Sequence, residues 1–261
     1  MITRLPAKGR TMGKKQPKLV LRESCIFDLA GAWAPAIFLE TGAGTGQMTQ
    51  LFLDRGYRGA CYELGMHSRE MLRQNLLPER DRIRVVDNLT ELSPESFDYL
   101  FSFEVLEHIE NDEAALSEWT RYLKHGGRLL ISVPSRRHKY GKSDEIVGHV
   151  RRYEKAGLTA MLKRCGYLDI RIASYGFPLT EITRRVSNWL VKNERGHEGL
   201  SMEQRSTQSS YRRPRVIDRG VALFGGELVR PFCFIQRMFY RTDLGDGYVV
   251  HARKGDGNKT T

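Results

Sequence analysis

The sequence contains no apolar run of about 18 residues, the least that a membrane-spanning helix needs, and no apolar signal-peptide core near its start. Both absences fit a cytoplasmic protein. Cysteine is sparse: Cys25, Cys61, Cys165 and Cys233 stand apart with no C-x-x-C pair. That spacing leaves a zinc site without support, so no metal is expected, and it reads as four inert thiols in a reducing compartment. No segment repeats at a fixed period, which argues against a solenoid. Acid is the other shortage. There are 31 Asp and Glu against 42 Lys and Arg, a net charge of +11 over 261 residues.

The surplus is not spread evenly. Arg4, Lys8, Arg10, Lys14, Lys15 and Lys18 meet no acid, so residues 1–18 read as a basic, disordered tail. More basic residues cluster between Arg121 and Arg164 and around Arg184 to Arg219. Such a balance favours anionic partners: an acidic small molecule, a phospholipid surface or nucleic acid. A solvated basic face without any partner is the competing reading. With 40% hydrophobic residues the chain can still bury a core.

What is present is an alternation of strands and helices. Strands are expected at 36–40, 58–63, 82–87, 97–103, 128–133, 168–175 and 247–253. Helices are expected at 19–32, 47–55, 67–77, 112–123 and 154–165, several stopped by Gly or Pro. Residues 135–153 read as a polar, basic loop. This rhythm predicts a doubly wound α/β sheet over 19–176 and 244–254. Residues 177–243 interrupt it with candidate helices at 179–193 and 215–240, and read as an insertion ahead of the last strand. Residues 255–261 read as a second disordered tail.

The segment Glu40-Thr-Gly42-Ala-Gly44-Thr-Gly46 follows the first strand and opens a helix. Glycines let the backbone turn sharply and let a ligand lie against bare main chain, the design of a nucleotide-binding corner. The spacing departs from the dinucleotide pattern G-x-G-x-x-G, because Gln47 stands where that pattern has its third small residue. Glu63 lies 17 residues beyond Gly46 at a strand end, where a carboxylate can accept from both hydroxyls of a ribose. Asp87-Asn88 ends the third strand and suits an adenine edge, with a turn-forming pair as the plain alternative.

These motifs, with Phe97-Asp98, the segment Val105-Leu106-Glu107-His108-Ile109 and Gly126-Gly127 before Ser132-Val133-Pro134, resemble the class I S-adenosylmethionine (SAM) methyltransferases. The likeness runs from residue 36 to about 175 in the family's order, and it is closest to the group with a "VLEHI" segment. It implies a Rossmann-like seven-stranded sheet of order 3-2-1-4-5-7-6 with the last strand antiparallel, a helical insertion before that strand, and SAM as methyl donor. By position, Glu40, Gly42, Ala43, Gly44 and Gly46 would line the methionine and ribose side. Glu63 and Leu64 would hold the ribose, Asp87 and Asn88 the adenine, and Ser102 and Glu104 the methionine end. Thr41 departs from the small apolar residue or isoleucine common in the family.

The donor carries its own leaving group, so the protein must align an acceptor, exclude water and, for a hydroxyl or acidic carbon, accept a proton. His108 and His149 are the candidate general bases, and Tyr153 is a third candidate catalytic residue. Gly148-His149-Val-Arg151-Arg152-Tyr153 resembles a "GH.RRY" segment of some of these enzymes, and His149, Arg151, Arg152 and Tyr153 are candidate substrate contacts for a carboxylate or phosphate. An exposed charge cluster is the bland reading of the same residues. Aromatic residues of the insertion (Trp189, Tyr211, Phe224, Phe232, Phe234, Phe239 and Tyr240) suit an apolar acceptor. The stretch 215–240 also suits a peripheral membrane contact or a homodimer interface.

The expected function is methyl transfer from SAM to an acidic or lipophilic small molecule. Two alternatives stand beside it. One is RNA methylation, disfavoured because the chain lacks an N/D-P-P-Y/F motif, a cysteine after Pro134 and any RNA-binding module. The other is a SAM-fold protein that performs a rearrangement, a cyclisation or regulatory binding.

Overall fold

The computed structural model describes residues 16–181, 183–184 and 226–256. Seven strands form one sheet: β1 (Ile37–Thr41), β2 (Arg58–Tyr62), β3 (Ile83–Val86), β4 (Phe97–Phe103), β5 (Leu123–Pro134), β6 (Tyr167–Tyr175) and β7 (Gly247–Lys254). Their order is β3-β2-β1-β4-β5-β7-β6. The strands from β3 to β5 run parallel, whereas β7 is antiparallel to both β5 and β6. The helices are α1 (Pro17–Ala30), α2 (Gln47–Leu53), α3 (Met66–Leu76), α4 (Asp112–Thr120), α5 (Lys142–Val147), α6 (Lys155–Arg164) and α7 (Gly226–Ile235), the last lying between β6 and β7.

Strand side chains alternate between the two faces, and each face carries its own core. Phe38, Phe101, Phe103, Leu130, Tyr175 and Val249 join Leu21, Cys25 and Ile26 of α1 and Phe52 of α2. Their alternate neighbours Leu39, Leu100, Leu129, Ile131, Tyr248 and Val250 join Leu116 and Trp119 of α4 and Leu158 and Leu162 of α6. The first face is built on stacked rings: Phe52 lies 4.2 Å from Phe101, and Phe38 lies 5.2 Å from Phe101. Rings at such separations add to the area term of burial.

Four expectations are corrected. Helix α4 stops at Thr120, not 123, because the Thr120 hydroxyl bonds back to the Leu116 carbonyl and to the Tyr167 hydroxyl, and Leu123 then pairs with Phe97 in the sheet. Strand β5 therefore begins five residues before Arg128 and carries Gly126-Gly127 inside it, opposite a register shift between Phe97 and Tyr99. The loop 135–153 contains helix α5, closed by Gly148 at a left-handed φ of 81°. Lys18 belongs to α1 and not to a free tail; its ammonium lies 3.3 Å from Asp246 and 3.6 Å from Glu104. The expected tail before residue 16, most of helix 179–193, the first half of helix 215–240, and Trp189, Tyr211 and Phe224 lie outside the described residues. No helix among the described residues is long and apolar enough to cross a membrane.

Candidate active site

The glycine turn sits at the carboxyl end of β1, where ligands bind in open parallel sheets. The N–H groups of Gly42 and Ala43 both donate to the Tyr62 carbonyl at 2.8 and 3.1 Å, which ties the turn to β2. Gly42 has φ +71°, and a Cβ there would meet Val105 at 2.4 Å. Gly46 has φ +88° and a Cβ would meet Leu72 at 2.8 Å, so both are required by packing as well as by conformation. Gly44 differs: its φ is +56°, and a Cβ there would meet nothing within 4 Å. It presents bare main chain to open space.

The acids around the turn are unequal. Glu63 is 3% exposed, and its carboxylate accepts from the N–H groups of Gly44 at 2.8 Å and Gly65 at 3.0 Å. It thus faces the glycine turn across the cleft floor. Leu64, next to it, is exposed. Glu40 is buried, accepts from the Thr49 hydroxyl at 2.6 Å, and is pushed up to about 8 by that burial, with Glu63 adding and Thr49 and Arg22 opposing. Ser102 donates to the Thr41 carbonyl at 3.1 Å and holds β4 to β1 beneath the turn. Asp87 is exposed and paired with Arg69 at 3.1 Å and Arg73 at 2.7 Å. The N–H groups of Asp87 and Asn88 both donate to Glu91, and the Asn88 side chain caps a short helical turn through Thr90. The turn role read as the alternative for this pair is therefore present in the structure.

Beyond β4 the chain enters the second half of the site. Glu104 takes φ +57°, a conformation that non-glycine residues seldom hold and one concentrated at functional sites. Burial works against its charge, but Lys18, Arg22 and His149 outweigh that and hold its carboxyl at about 2. Glu107 is fully buried, and neither of its carboxylate oxygens has a hydrogen-bond partner. Burial, and then the Glu104 charge, push it well above the usual carboxylate range. His149 Nε2 stands 3.7 Å from Glu107, and its Nδ1 is 2.8 Å from Asp144. The His108 ring lies edge-on to His149 with centroids 4.9 Å apart, and its Nδ1 is 3.1 Å from the Gly148 carbonyl.

The "GH.RRY" residues divide. His149 reaches the site. Arg152 is 4% exposed and engaged by Asp144 and Asp246, both at 3.0 Å, and by the Ser135 carbonyl at 3.2 Å. Arg151 pairs with Asp112 at 2.9 Å and with the Glu110 carbonyl at 2.7 Å. Tyr153 is 7% exposed and donates to Asp112 at 2.6 Å; burial and that carboxylate push its phenol far up. These three residues are engaged by the chain's own carboxylates. Sequence reasoning passed over Glu107, Asp144, Asp246 and Arg22. Glu107 lies inside the "VLEHI" segment and Asp144 inside the 135–153 loop.

SAM fits these residues. Bare main chain at Gly44 opens on free space, a carboxylate stands opposite it at Glu63, and the turn touches Val105, next to Glu104. The sheet order is that of the class I methyltransferase fold. Residues 39–131 match a family model described as a methyltransferase domain.

Among curated proteins, the chain is similar to a ubiquinone biosynthesis O-methyltransferase of Idiomarina loihiensis, with 27% identity over 105 residues. That match spans 39% of this chain and 43% of the relative, less than half its length. Among solved structures, it is similar to Haemonchus contortus phosphoethanolamine N-methyltransferase 2 in complex with SAM: TM-score 0.58, 17% identity, 90% of this chain and 53% of that one. It is also similar to Burkholderia thailandensis 1,6-didemethyltoxoflavin-N1-methyltransferase with 1,6-didemethyltoxoflavin and S-adenosylhomocysteine bound: TM-score 0.53, 18% identity, 92% of this chain and 80% of that one.

Proposed function

We propose that this protein transfers a methyl group from SAM to a hydroxyl of a small molecule seated against Glu107, His108 and His149. The observation that carries the reading is the juxtaposition of two half-sites. The open Gly44 turn faces Glu63 on one side, and Gly42 packs on Val105, which leads directly to the acid and imidazole cluster on the other. SAM supplies an electrophilic methyl on a sulfonium leaving group. The chain's own residues do the rest. Glu63 accepts ribose hydroxyls, the main chain at Gly44 lies along the cofactor, and Glu104 provides fixed negative charge at the methionine end. Asp87 and Asn88 are the proposed adenine contacts, reached when Asp87 exchanges an arginine for the base.

Orientation of the acceptor then supplies much of the rate. Asp144 holds His149 by Nδ1, which directs Nε2 toward Glu107 and the cleft, where an imidazole can take the hydroxyl proton. A lipophilic acceptor remains compatible with Phe232, Phe239 and Tyr240 of the insertion. For an acidic one, Arg151 is the partly exposed candidate contact, while Arg152 is buried between Asp144 and Asp246.

The test is direct. Calorimetry should show SAM and S-adenosylhomocysteine binding to the folded chain, and Glu63→Ala should weaken both at least tenfold. Incubation with labelled SAM and a cell extract should then yield one metabolite carrying a single labelled methyl. A folded chain that binds neither nucleoside would defeat the reading.

A further inference from the structure

Glu107 poses a problem that methyl transfer alone does not resolve. A carboxylate buried to 0% exposure with both oxygens unpartnered is rare, because a buried acceptor without a donor or a cation is costly. Its surroundings supply the chemistry of an answer. One ligating atom each from Glu107, His108 and His149 lie within 4.8 Å of one another. The two imidazoles are not arranged as a stacked core pair. Their planes stand at 75° and their centroids 4.9 Å apart. Two imidazoles bound to one tetrahedral ion at about 2.0–2.1 Å hold their centroids about 5 Å apart.

The outer contacts match as well. His149 Nδ1 is held by Asp144 at 2.8 Å, and Asp144 is itself fixed by Arg152 at 3.0 Å. His108 Nδ1 faces the Gly148 carbonyl at 3.1 Å. A metal-ligating histidine donates its other ring N–H to a carboxylate or a backbone carbonyl, and here one ring does each. Both tautomers are thereby set with the basic Nε2 as the ligating atom. The ammonium and guanidinium groups nearby, Lys18 and Arg22, are directed to Glu104 rather than to Glu107.

We infer that Glu107, His108 and His149 form a binding site for one first-row divalent cation, zinc or a close neighbour, with its open position on the solvent side of the cluster. Two imidazoles and one carboxylate select such ions over magnesium and calcium, which prefer all-oxygen shells. Glu107 is the buried ligand and both histidines are partly exposed, so the remaining position faces the acceptor cleft. The site itself stands on the geometry; the role given to it rests on the methyl-transfer reading. An acceptor hydroxyl bound to the ion loses its proton to solvent more readily. Its oxygen then forms the bond to the methyl carbon while the carbon–sulfur bond of SAM breaks, the electron pair leaving on sulfur. The imidazoles in that case orient the ion rather than carry the proton.

The experiment uses the full chain, stripped with a chelator and titrated with Co2+ and with Zn2+. The expected result is one equivalent of Co2+ bound with visible d–d bands of low-coordinate geometry, displaced by Zn2+. Glu107→Gln and His149→Gln should each lower Co2+ affinity at least a hundredfold. Asp144→Asn, which touches only the outer side of His149, should lower it about 10–100-fold. SAM binding by calorimetry is measured on the same samples and should change less than threefold, which separates loss of the ion from loss of the fold. Wild-type protein that is folded yet takes up no stoichiometric Co2+ or Zn2+ would overturn the inference, as would variants that bind the ion as wild type does. Metal binding without SAM binding would leave the site standing and defeat the methyl-transfer reading instead.

Discussion

At the scale of single residues, two glycines of one turn have separate tasks. Gly42 is needed because its φ is +71° and Val105 occupies the space a Cβ would take; Gly44 is needed because the space above it must stay open. A left-handed L residue costs about 1–2 kcal/mol, and overpacking a tight contact costs about 1–3 kcal/mol more. Gly42→Ala should therefore destabilise the protein by about 2–5 kcal/mol in urea unfolding. Gly44→Ala should cost only the conformational part, about 1–2 kcal/mol. Gly44→Arg should keep the fold while lowering SAM affinity at least tenfold. Equal stability losses for the two alanine variants would contradict this division. The motif was legible as a ligand turn because glycine spacing and a preceding acid are local signals. The division of labour was not, because it depends on Val105, which is distant in sequence. The same holds for Glu107, whose burial without a donor is a property of the packed site and leaves no mark on the local pattern.

Among elements, the strands were readable and the connections less so. Each strand except β5 lies within a residue or so of its expected bounds, since buried strands with apolar interiors and glycine or proline stops carry strong local patterns. Helix α5 was missed because six residues with little apolar content show no period. Its hold comes from Asp144 contacts to Gly141, His149 and Arg152. Helix α1 shows how a remote element reaches the site. It is bound to the end of the insertion by Arg237, with two bonds to Asp28 at 2.8 and 2.6 Å, and by Tyr240, 2.7 Å from the same carboxylate. Gln236, fully buried, donates to the Leu21 carbonyl at 3.0 Å and accepts from the Gly176 N–H at 3.0 Å. This clamp sets the position of Lys18 against Glu104 and Asp246. Gln236→Leu should leave the buried Gly176 N–H unmet, at about 1–3 kcal/mol, and remove the second bond to the Leu21 carbonyl. Amide exchange should then accelerate first in α1 and α7, before β4 and β5. Uniform acceleration across the sheet would show that α1 is not held by this clamp.

Across the whole molecule, the two ends of the sheet differ in how they treat charge. The carboxyl ends of β1, β2 and β4 carry acids at Glu40, Glu63, Glu104 and Glu107, each given a partner or a ligand role. The other end is packed with rings: Trp33 stacks on Tyr99 at 5.1 Å and meets His251 edge-on at 4.9 Å. His251 sits on β7 between Leu130 of β5 and Arg171 of β6. Burial, then Arg128 and Arg171, hold its imidazole down to about 4, with Asp169 alone opposing them. Its buried Nε2 has no hydrogen-bond partner.

The consequence for stability follows from linkage. Between about 4 and the ordinary value of 6.5 the unfolded chain binds a proton at this site that the folded chain does not. The full stability at this position is thus present above pH 6.5 and is lost as the pH falls toward 4. His251→Phe keeps a ring against Trp33 and removes the titrating group. Urea unfolding of both proteins from pH 8 to pH 4.5 should show wild type losing ground to the variant below about pH 6.5, whatever their difference at pH 8. Raising the salt concentration should shrink that loss, since screening weakens the repulsion from Arg128 and Arg171 while leaving the burial cost in place. Parallel pH profiles for the two proteins would mean that His251 is protonated equally in both states, and that the ring-packed end of the sheet admits more water than its geometry shows.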